Sequence, residues 1–182
     1  MKCAALTIGV MVAFVGSALQ AQTPPVKAGP EQQRLLGYFL GTWKLEGESK
    51  ATPISKAGKL SGSETATWYQ DVFLAVQGSM QGPSGALKYA VLTGWDPDRK
   101  IYQAVFVPSA DMLGGPPKLV IAQASVSGST WVTTWNAAAG GVNYHIRRTR
   151  VAVSPTSYTE TDEYSSDNKT WVVYAVKKYV MQ

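Results

Sequence analysis

The residues that most often perform nucleophilic or metal chemistry are scarce in this chain. It has one histidine, His145, and one cysteine, Cys3. A serine or cysteine nucleophile needs an adjacent base, and zinc needs three or four Cys, His or carboxylate ligands. No Gly-x-Ser-x-Gly elbow is present, so neither a hydrolase triad nor a zinc centre is expected. Haem needs a single proximal histidine, so a haem-binding barrel that uses His145 is one alternative.

Three carboxylates lie close together towards the C-terminus, at Glu160, Asp162 and Glu163. Alternate residues of a strand share a face, so Glu160 and Asp162 would lie side by side. Neighbouring carboxylates raise one another's pKa, and such a pair in a cleft is suited to general acid–base catalysis. The simpler interpretation is a polar strand face in water.

Turn lengths predict which residues face each other across the last four strands. Gly140 and Gly141 favour a two-residue turn, and residues 154–157 and 166–169 favour four-residue turns. The cross-strand pairs that follow are Trp135 with Ile146, Trp131 with Arg150, Arg148 with Glu163, and Glu163 with Val172.

One face of these four strands is the more apolar and is predicted to line a barrel interior. It carries Trp131, Trp135, Tyr144, Ile146, Arg148, Arg150, Glu163, Val172, Tyr174 and Val176. The opposite face, predicted to be solvated, carries His145, Arg147, Glu160, Asp162, Tyr164, Trp171 and Lys177. An arginine–glutamate pair in an apolar cavity is costly unless well hydrogen-bonded, and such placement often orients a ligand's polar group. The predicted ligand-binding residues are therefore Trp131, Trp135, Arg148, Arg150, Glu163 and Tyr174.

The elements that position these residues are one short helix and about ten strands. Pro30 suits a first helical turn and Gly41 ends an apolar stripe, which predicts a helix over residues 30–40. Strands are predicted at residues 42–49, 59–69, 72–82, 86–95, 100–107, 119–126, 130–137, 142–153, 157–165 and 170–181. Short links imply an antiparallel meander, and closure into a barrel removes its edges. In the second to fourth strands both faces are equally apolar, so the sequence does not orient them.

A set of short motifs occurs in a characteristic order. They are Gln33-Arg34-Leu35, Phe39-Leu40-Gly41-Thr42-Trp43, Gly94-Trp95-Asp96-Pro97, Ser154-Pro155-Thr156-Ser157-Tyr158, and Ser166-Asp167 before Trp171. From about Glu31 onward the chain resembles a widespread bacterial domain-of-unknown-function family with a lipocalin-like barrel. Trp95 stands where that family is expected to have a tyrosine, and Gln32 where it has a histidine. The resemblance implies the barrel fold, and it supplies no catalytic residues.

The N-terminal segment has the composition of an export signal. Lys2 precedes an apolar run from Cys3 to Val15, which small residues follow. We therefore expect a signal peptide over residues 1–21, a leader over 22–29 and one barrel domain over 30–182. The mature protein would be periplasmic or secreted, without a thiol or a transmembrane segment.

Charge and composition narrow the expected partners. The formal net charge is +5, and no nucleic-acid-binding motif accompanies it. The first hypothesis is a non-catalytic barrel, without a cofactor, that binds a small hydrophobic or amphipathic ligand. One alternative is a small isomerase or hydrolase that uses Arg148, Glu163 and Tyr174, or Glu160 and Asp162. Another is a solid-core interaction module of the cell envelope.

Export makes a prediction about mass. The mature protein should lack residues 1–18 or 1–21, because both Ala18 and Ala21 follow small-residue patterns that suit cleavage. Intact-mass analysis of the exported protein measures this directly. A product that retains Met1 or Cys3 would contradict the prediction.

Overall fold

The computed structural model describes residues 29–110 and 117–182, so the predicted signal peptide and residues 22–28 of the leader lie outside the described residues. One helix, α1, spans Pro30–Gly37. The strands are β1 (Gly41–Ser49), β2 (Gly58–Tyr69), β3 (Phe73–Gly82), β4 (Gly85–Asp96), β5 (Ile101–Pro108), β6 (Val120–Ser127), β7 (Thr130–Ala139), β8 (Val142–Ser154), β9 (Ser157–Ser165) and β10 (Val172–Met181).

The strands form one closed antiparallel barrel. Each strand pairs with its sequence neighbours, and β1 pairs with β10 to close the sheet. The predicted all-β meander and its closure are confirmed. The helix is shorter than predicted and ends at Gly37. Phe39 and Leu40 continue as a turn, in which their N–H groups donate to the carbonyls of Leu36 (3.1 Å) and Gly37 (3.2 Å).

Aromatic side chains close the barrel end that lies under α1. Trp43 is fully buried, and its Nε1 donates to the Phe39 carbonyl at 2.8 Å. The Phe39 ring meets Trp131 and Tyr158 edge-on, with centroids 5.3 and 5.4 Å apart. The Tyr38 hydroxyl lies 2.7 Å from the Ser154 carbonyl and therefore ties this plug to the β8–β9 turn. The interior is thus sealed at this end.

The β7–β8 hairpin has the predicted register. Gly140 and Gly141 both adopt positive φ, 56° and 80°, which is the conformation of a two-residue turn that matches strand twist. Trp135 therefore faces Ile146, and Trp131 faces Arg150. Both predicted pairs are confirmed.

The β8–β9 hairpin differs from the prediction by one residue. At its tip Ser154 pairs with Ser157, as a four-residue turn requires, but the register shifts between Ser154 and Ala152. Val153 is the extra residue of this bulge and is 64% exposed. Beyond it, Arg148 faces Asp162 and not Glu163, so the predicted Arg148–Glu163 pair is wrong.

A second shift moves the residues of β10. Glu163 faces Val173 and not Val172, and the register changes between Val173 and Ala175. Since side chains alternate along a strand, a shift of one residue exchanges the two faces. Val172 and Val176, predicted to be interior, are 42% and 47% exposed. The shifts bring inside four side chains that were predicted to be solvated: Glu160, Asp162, Tyr164 and Lys177. Glu160 and Asp162 are fully buried, Lys177 is 4% exposed, and Tyr164 packs against the core.

The structure also orients the strands that the sequence left ambiguous. The interior face of β3 and β4 carries Leu74, Val76, Met80, Leu87, Tyr89 and Val91, all of which line the cavity described below. The residues between them point outward, and Leu92 among them is 38% exposed. The apolar wall of the barrel is therefore built largely from its N-terminal half.

The aromatic plug predicts different effects for two Trp→Phe substitutions. Trp43→Phe leaves the buried Phe39 carbonyl without its donor and leaves a small void, so the free energy of unfolding should fall by about 2–4 kcal/mol. Trp171→Phe is the matched control, because Trp171 is half-buried on the outer face, under the Arg147 guanidinium. It should cost about 1 kcal/mol or less. Urea denaturation measures both, and equal losses would contradict the role given to Trp43.

Candidate ligand-binding site

The barrel interior contains two adjoining cavities. The inner chamber, next to the α1 plug, has a volume of about 130 Å³ and reaches Leu36 and Phe39. The outer chamber has a volume of about 430 Å³ and lies at the opposite end, between Lys56, Pro83 and Lys118. The residues that line both are Met80, Leu87, Phe106, Val120, Trp135 and Lys177. The two chambers therefore adjoin at these six side chains.

The inner chamber has one apolar and one polar wall. The apolar wall includes Leu74, Val76, Val91, Ala104, Ala122 and Ala124, from strands β3 to β6. The polar wall includes Glu64 on β2, Tyr89 on β4, Arg148 and Arg150 on β8, and Lys177 and Tyr179 on β10. We count with it the three β9 side chains that bind these residues, Tyr158, Glu160 and Asp162. A molecule inside would meet hydrocarbon on one side and hydrogen-bonding groups on the other.

Five charged side chains form an ion cluster on three adjacent strands: Arg148, Arg150, Glu160, Asp162 and Lys177. Arg150 Nε donates to Glu160 Oε2 at 2.6 Å. Arg148 donates from Nε and Nη2 to the two oxygens of Asp162, at 2.7 and 3.3 Å. Lys177 Nζ lies 2.6 Å from Asp162 Oδ2 and also contacts Glu160 Oε1. Cross-strand pairing places these groups together, since Arg148 faces Asp162 and Glu160 faces both Arg150 and Lys177.

The charges of this cluster are mutually dependent. Burial by itself would raise the pKa of Glu160, but the attraction of Arg148, Lys177 and Arg150 outweighs it, and the pKa lies well below its ordinary value. Burial would likewise lower the pKa of Arg148, yet Asp162 and Glu160 hold it well above the usual range. Glu160 therefore stays ionised at neutral pH. A general acid or base needs a pKa near the working pH, so Glu160 is poorly suited to that role.

Glu64, which is not among the predicted site residues, forms a second polar centre. Its two carboxylate oxygens accept hydrogen bonds from the hydroxyls of Tyr158 and Tyr89, each at 2.8 Å. Burial, followed by the charge of Glu64, raises the pKa of Tyr89, so this phenol is a neutral donor. Gly78 makes the arrangement fit, because a Cβ there would lie 2.4 Å from the Tyr89 ring. The sequence does contain a signal for this residue. One face of β2 carries Leu60, Gly62, Glu64 and Ala66, and a carboxylate within such an apolar stripe indicates a buried polar group.

Five of the six predicted ligand-binding residues lie on the cavity. Trp131, Trp135, Arg148 and Arg150 line the inner chamber, and Tyr174 lines the outer one. Whether they bind a ligand stays a prediction.

Glu163 is the sixth, and the structure places it on the outer face. There Arg147 donates to it from Nε and Nη2, at 2.7 and 2.9 Å, and the Arg147 guanidinium lies 4.2 Å from the Trp171 ring centroid. The interior acidic partners are instead Glu160 and Asp162, which had been assigned to the solvated face.

His145 lies on the outer face of β8, where its Nδ1 is 2.9 Å from Asn136 Oδ1. Its neighbours Tyr144 and Ile146 point inward. Within residues 29–110 and 117–182 no three His, Cys, Asp or Glu side chains are grouped as a metal site would require. The histidine is thus separated from the cavity by the sheet, which does not favour the haem alternative.

The sequence matches a family model over residues 29–171, and the description of that model is "Protein of unknown function (DUF1579)". The chain belongs to this family. The predicted resemblance to a domain-of-unknown-function family is confirmed. Among curated proteins, none matches the sequence significantly.

Two solved structures have a similar chain trace at low sequence identity. EF1p2_mFAP2b bound to DFHBI is 10% identical, with a TM-score of 0.44, and the match covers 83% of this chain and 99% of that one. The S-type phycobiliprotein lyase CPES from Guillardia theta is 8% identical, with a TM-score of 0.47, and the match covers 82% and 92% of the respective chains. In the described part of the present chain, no helix has the length and hydropathy of a membrane span.

The ion cluster predicts that two glutamates on one strand differ in their contribution to stability. Glu160→Gln removes a fully buried charge and leaves three cations with one carboxylate, so it should cost about 3–5 kcal/mol. Glu163→Gln, on the opposite face of β9, should cost about 1 kcal/mol or less. Chemical denaturation at neutral pH measures both losses. If Glu163→Gln were the more damaging, the assignment of the faces would be wrong.

Proposed function

We propose that this barrel binds a small, partly apolar molecule in its two chambers and does not transform it. The observation that carries the proposal is the pair of adjoining cavities in the barrel, of which the inner one has opposed apolar and polar walls. The outer chamber, at about 430 Å³, lies within the range of roughly 300–1,000 Å³ that is typical of small-molecule sites. A protein with a solid core would not leave this space, so the cavity argues against an interaction module.

The chemistry of the polar wall favours binding over catalysis. The carboxylate of Glu160 is held ionised by three cations, and the phenols of Tyr89 and Tyr158 have pKa values raised above the ordinary range, mainly by burial. Across the physiological pH range the phenols therefore keep their protons and the carboxylate stays ionised. These groups act as fixed hydrogen-bond donors and a fixed charge, and they do not transfer protons. A wall of this kind orients a ligand and holds it.

We also propose that the protein acts outside the cytoplasm. The single early lysine, the apolar run and the small residues of the N-terminal segment support export. An exported binding protein meets its ligand in the periplasm or in the medium.

A substitution that fills the inner chamber tests ligand binding. Ala122 is buried and lines this chamber, whereas Ala90 is exposed on the outer face of β4. Ala122→Phe should weaken binding of the neutral fluorophore N-phenyl-1-naphthylamine by roughly tenfold or more, because the aromatic ring occupies the space. Ala90→Phe is the matched control and should bind as the wild type does.

Fluorescence titration measures the affinity, and circular dichroism verifies that each variant is folded. Native mass spectrometry of the purified wild type should in addition show a retained small molecule that Ala122→Phe has lost. Equal affinity of the two folded variants would place the fluorophore outside the cavity and contradict the proposal.

A further inference from the structure

The polar wall of the inner chamber has more hydrogen-bond donors than the protein uses. A guanidinium carries five N–H groups. Arg150 donates through Nε to Glu160, and none of its terminal Nη donors has an acceptor among the described residues. Its side chain lines the chamber and is 24% exposed. Donors that face a cavity without a protein acceptor bind water or a ligand, so these Nη groups are available to a polar molecule in the chamber.

Tyr179 adds a further donor beside this arginine. Tyr179 is 3% exposed and lines the inner chamber. Its ring stacks on the ring of Tyr158, and the two centroids are 4.3 Å apart. Burial, followed by the charges of Glu160 and Glu64, raises the pKa of Tyr179, so its hydroxyl keeps its proton. Within residues 29–110 and 117–182 this hydroxyl has no hydrogen-bond partner, whereas that of Tyr158 is bound to Glu64.

The carboxylates of this region are already paired with cations or phenols, and Glu160 Oε1, which accepts no hydrogen bond, is in ion-pair contact with Arg148 and Lys177. Glu160 and Asp162 are held by Arg148, Arg150 and Lys177, and both oxygens of Glu64 accept from phenols. Within ion-pair distance, the cluster therefore has three cations and two carboxylates. Glu64 is a third carboxylate of the region; its hydrogen bonds come from the two phenols, and its charge also attracts Arg150. With Glu64 the charges of this region balance, so it is the unused donors that call for an acceptor.

We propose that the ligand carries a carboxylate, which binds Arg150 and the Tyr179 hydroxyl in the inner chamber. This inference rests on the proposed function and specifies its ligand class. A carboxylate is the smallest group with two oxygens for the fork of a guanidinium, and the inner chamber holds only about 130 Å³. The apolar part of the ligand then extends past Trp135 into the outer chamber, because that chamber adjoins the inner one there.

Two probes of equal shape test the charge. Octanoate and octanamide differ only in the anionic head, and isothermal titration calorimetry gives the affinity of each for the full-length mature protein. Octanoate should bind the wild type at least about tenfold more tightly, because a charge-assisted hydrogen bond is stronger than a neutral one. Arg150→Met should abolish this preference, because it should lower the affinity for octanoate and leave that for octanamide unchanged.

Arg147→Met is the matched control, since Arg147 is on the outer face of the same strand, and the preference should persist there. Tyr179→Phe removes one hydroxyl and should lower the affinity for octanoate by about two- to tenfold, with little effect on the affinity for octanamide. This milder variant tests the site even if Arg150→Met does not fold.

Two results would overturn the inference while leaving the proposed function intact. One is equal affinity for octanoate and octanamide, with both lost in Ala122→Phe. The other is octanoate binding that is the same in the wild type, Arg150→Met and Tyr179→Phe. If octanoate does not bind but the Ala122-sensitive fluorophore does, the carboxylate assignment fails and the cavity proposal stands. If no probe enters the cavity, both proposals fail.

Discussion

A carboxylate that is fully buried must be paired, and in this barrel the placement of Glu160 imposes that requirement on three strands. Arg148 and Arg150 come from β8 and Lys177 from β10, so Glu160 and Asp162 on β9 bind the two flanking strands through side chains as well as backbone. A slip of β9 by two residues keeps the same faces, and it would leave one of these charges in the interior without its cross-strand partner. Such a group costs several kcal/mol, which is a large share of the stability of a domain. The cluster therefore specifies the pairing of the strands from which it is built.

The same cluster determines what the cavity can hold. The apolar strands β3 to β6 supply a wall without hydrogen bonds, and the cluster places an array of donors opposite that wall. At the α1 end, Phe39, Trp43 and Tyr158 close the space, and Tyr158 also joins the plug to Glu64. Closure, polarity and strand register are thus linked through a small number of side chains. The unused donors of Arg150 lie where these three features meet.

Two similar ion pairs between β8 and β9 lie on opposite faces of the sheet. Arg147 and Glu163 form a pair with two hydrogen bonds outside the barrel, while Arg148 and Asp162 form an equivalent pair inside it. In each pair the arginine donates two hydrogen bonds to its carboxylate, so the hydrogen bonds alone do not show which pair is inside the barrel. Burial and the additional contact with Lys177 distinguish them. The assignment of Arg148 to the cavity was correct, whereas Glu163 was assigned there in error because the bulge at Val153 shifts the register by one residue.

The sequence by itself determined the elements, the closed meander and the β7–β8 register. These follow from local rules, since Gly140 and Gly141 specify their turn whatever surrounds it, and alternation of apolar residues identifies a strand. Only the tertiary structure decided which face of β9 and β10 is interior. The bulge at Val153 and the shift near Tyr174 each displace the register by one residue, and neither has a sequence signal as clear as a glycine turn. Likewise, Glu64 meets Tyr158 across 94 residues of chain. Contacts of that kind depend on closure of the whole barrel, and no local pattern specifies them.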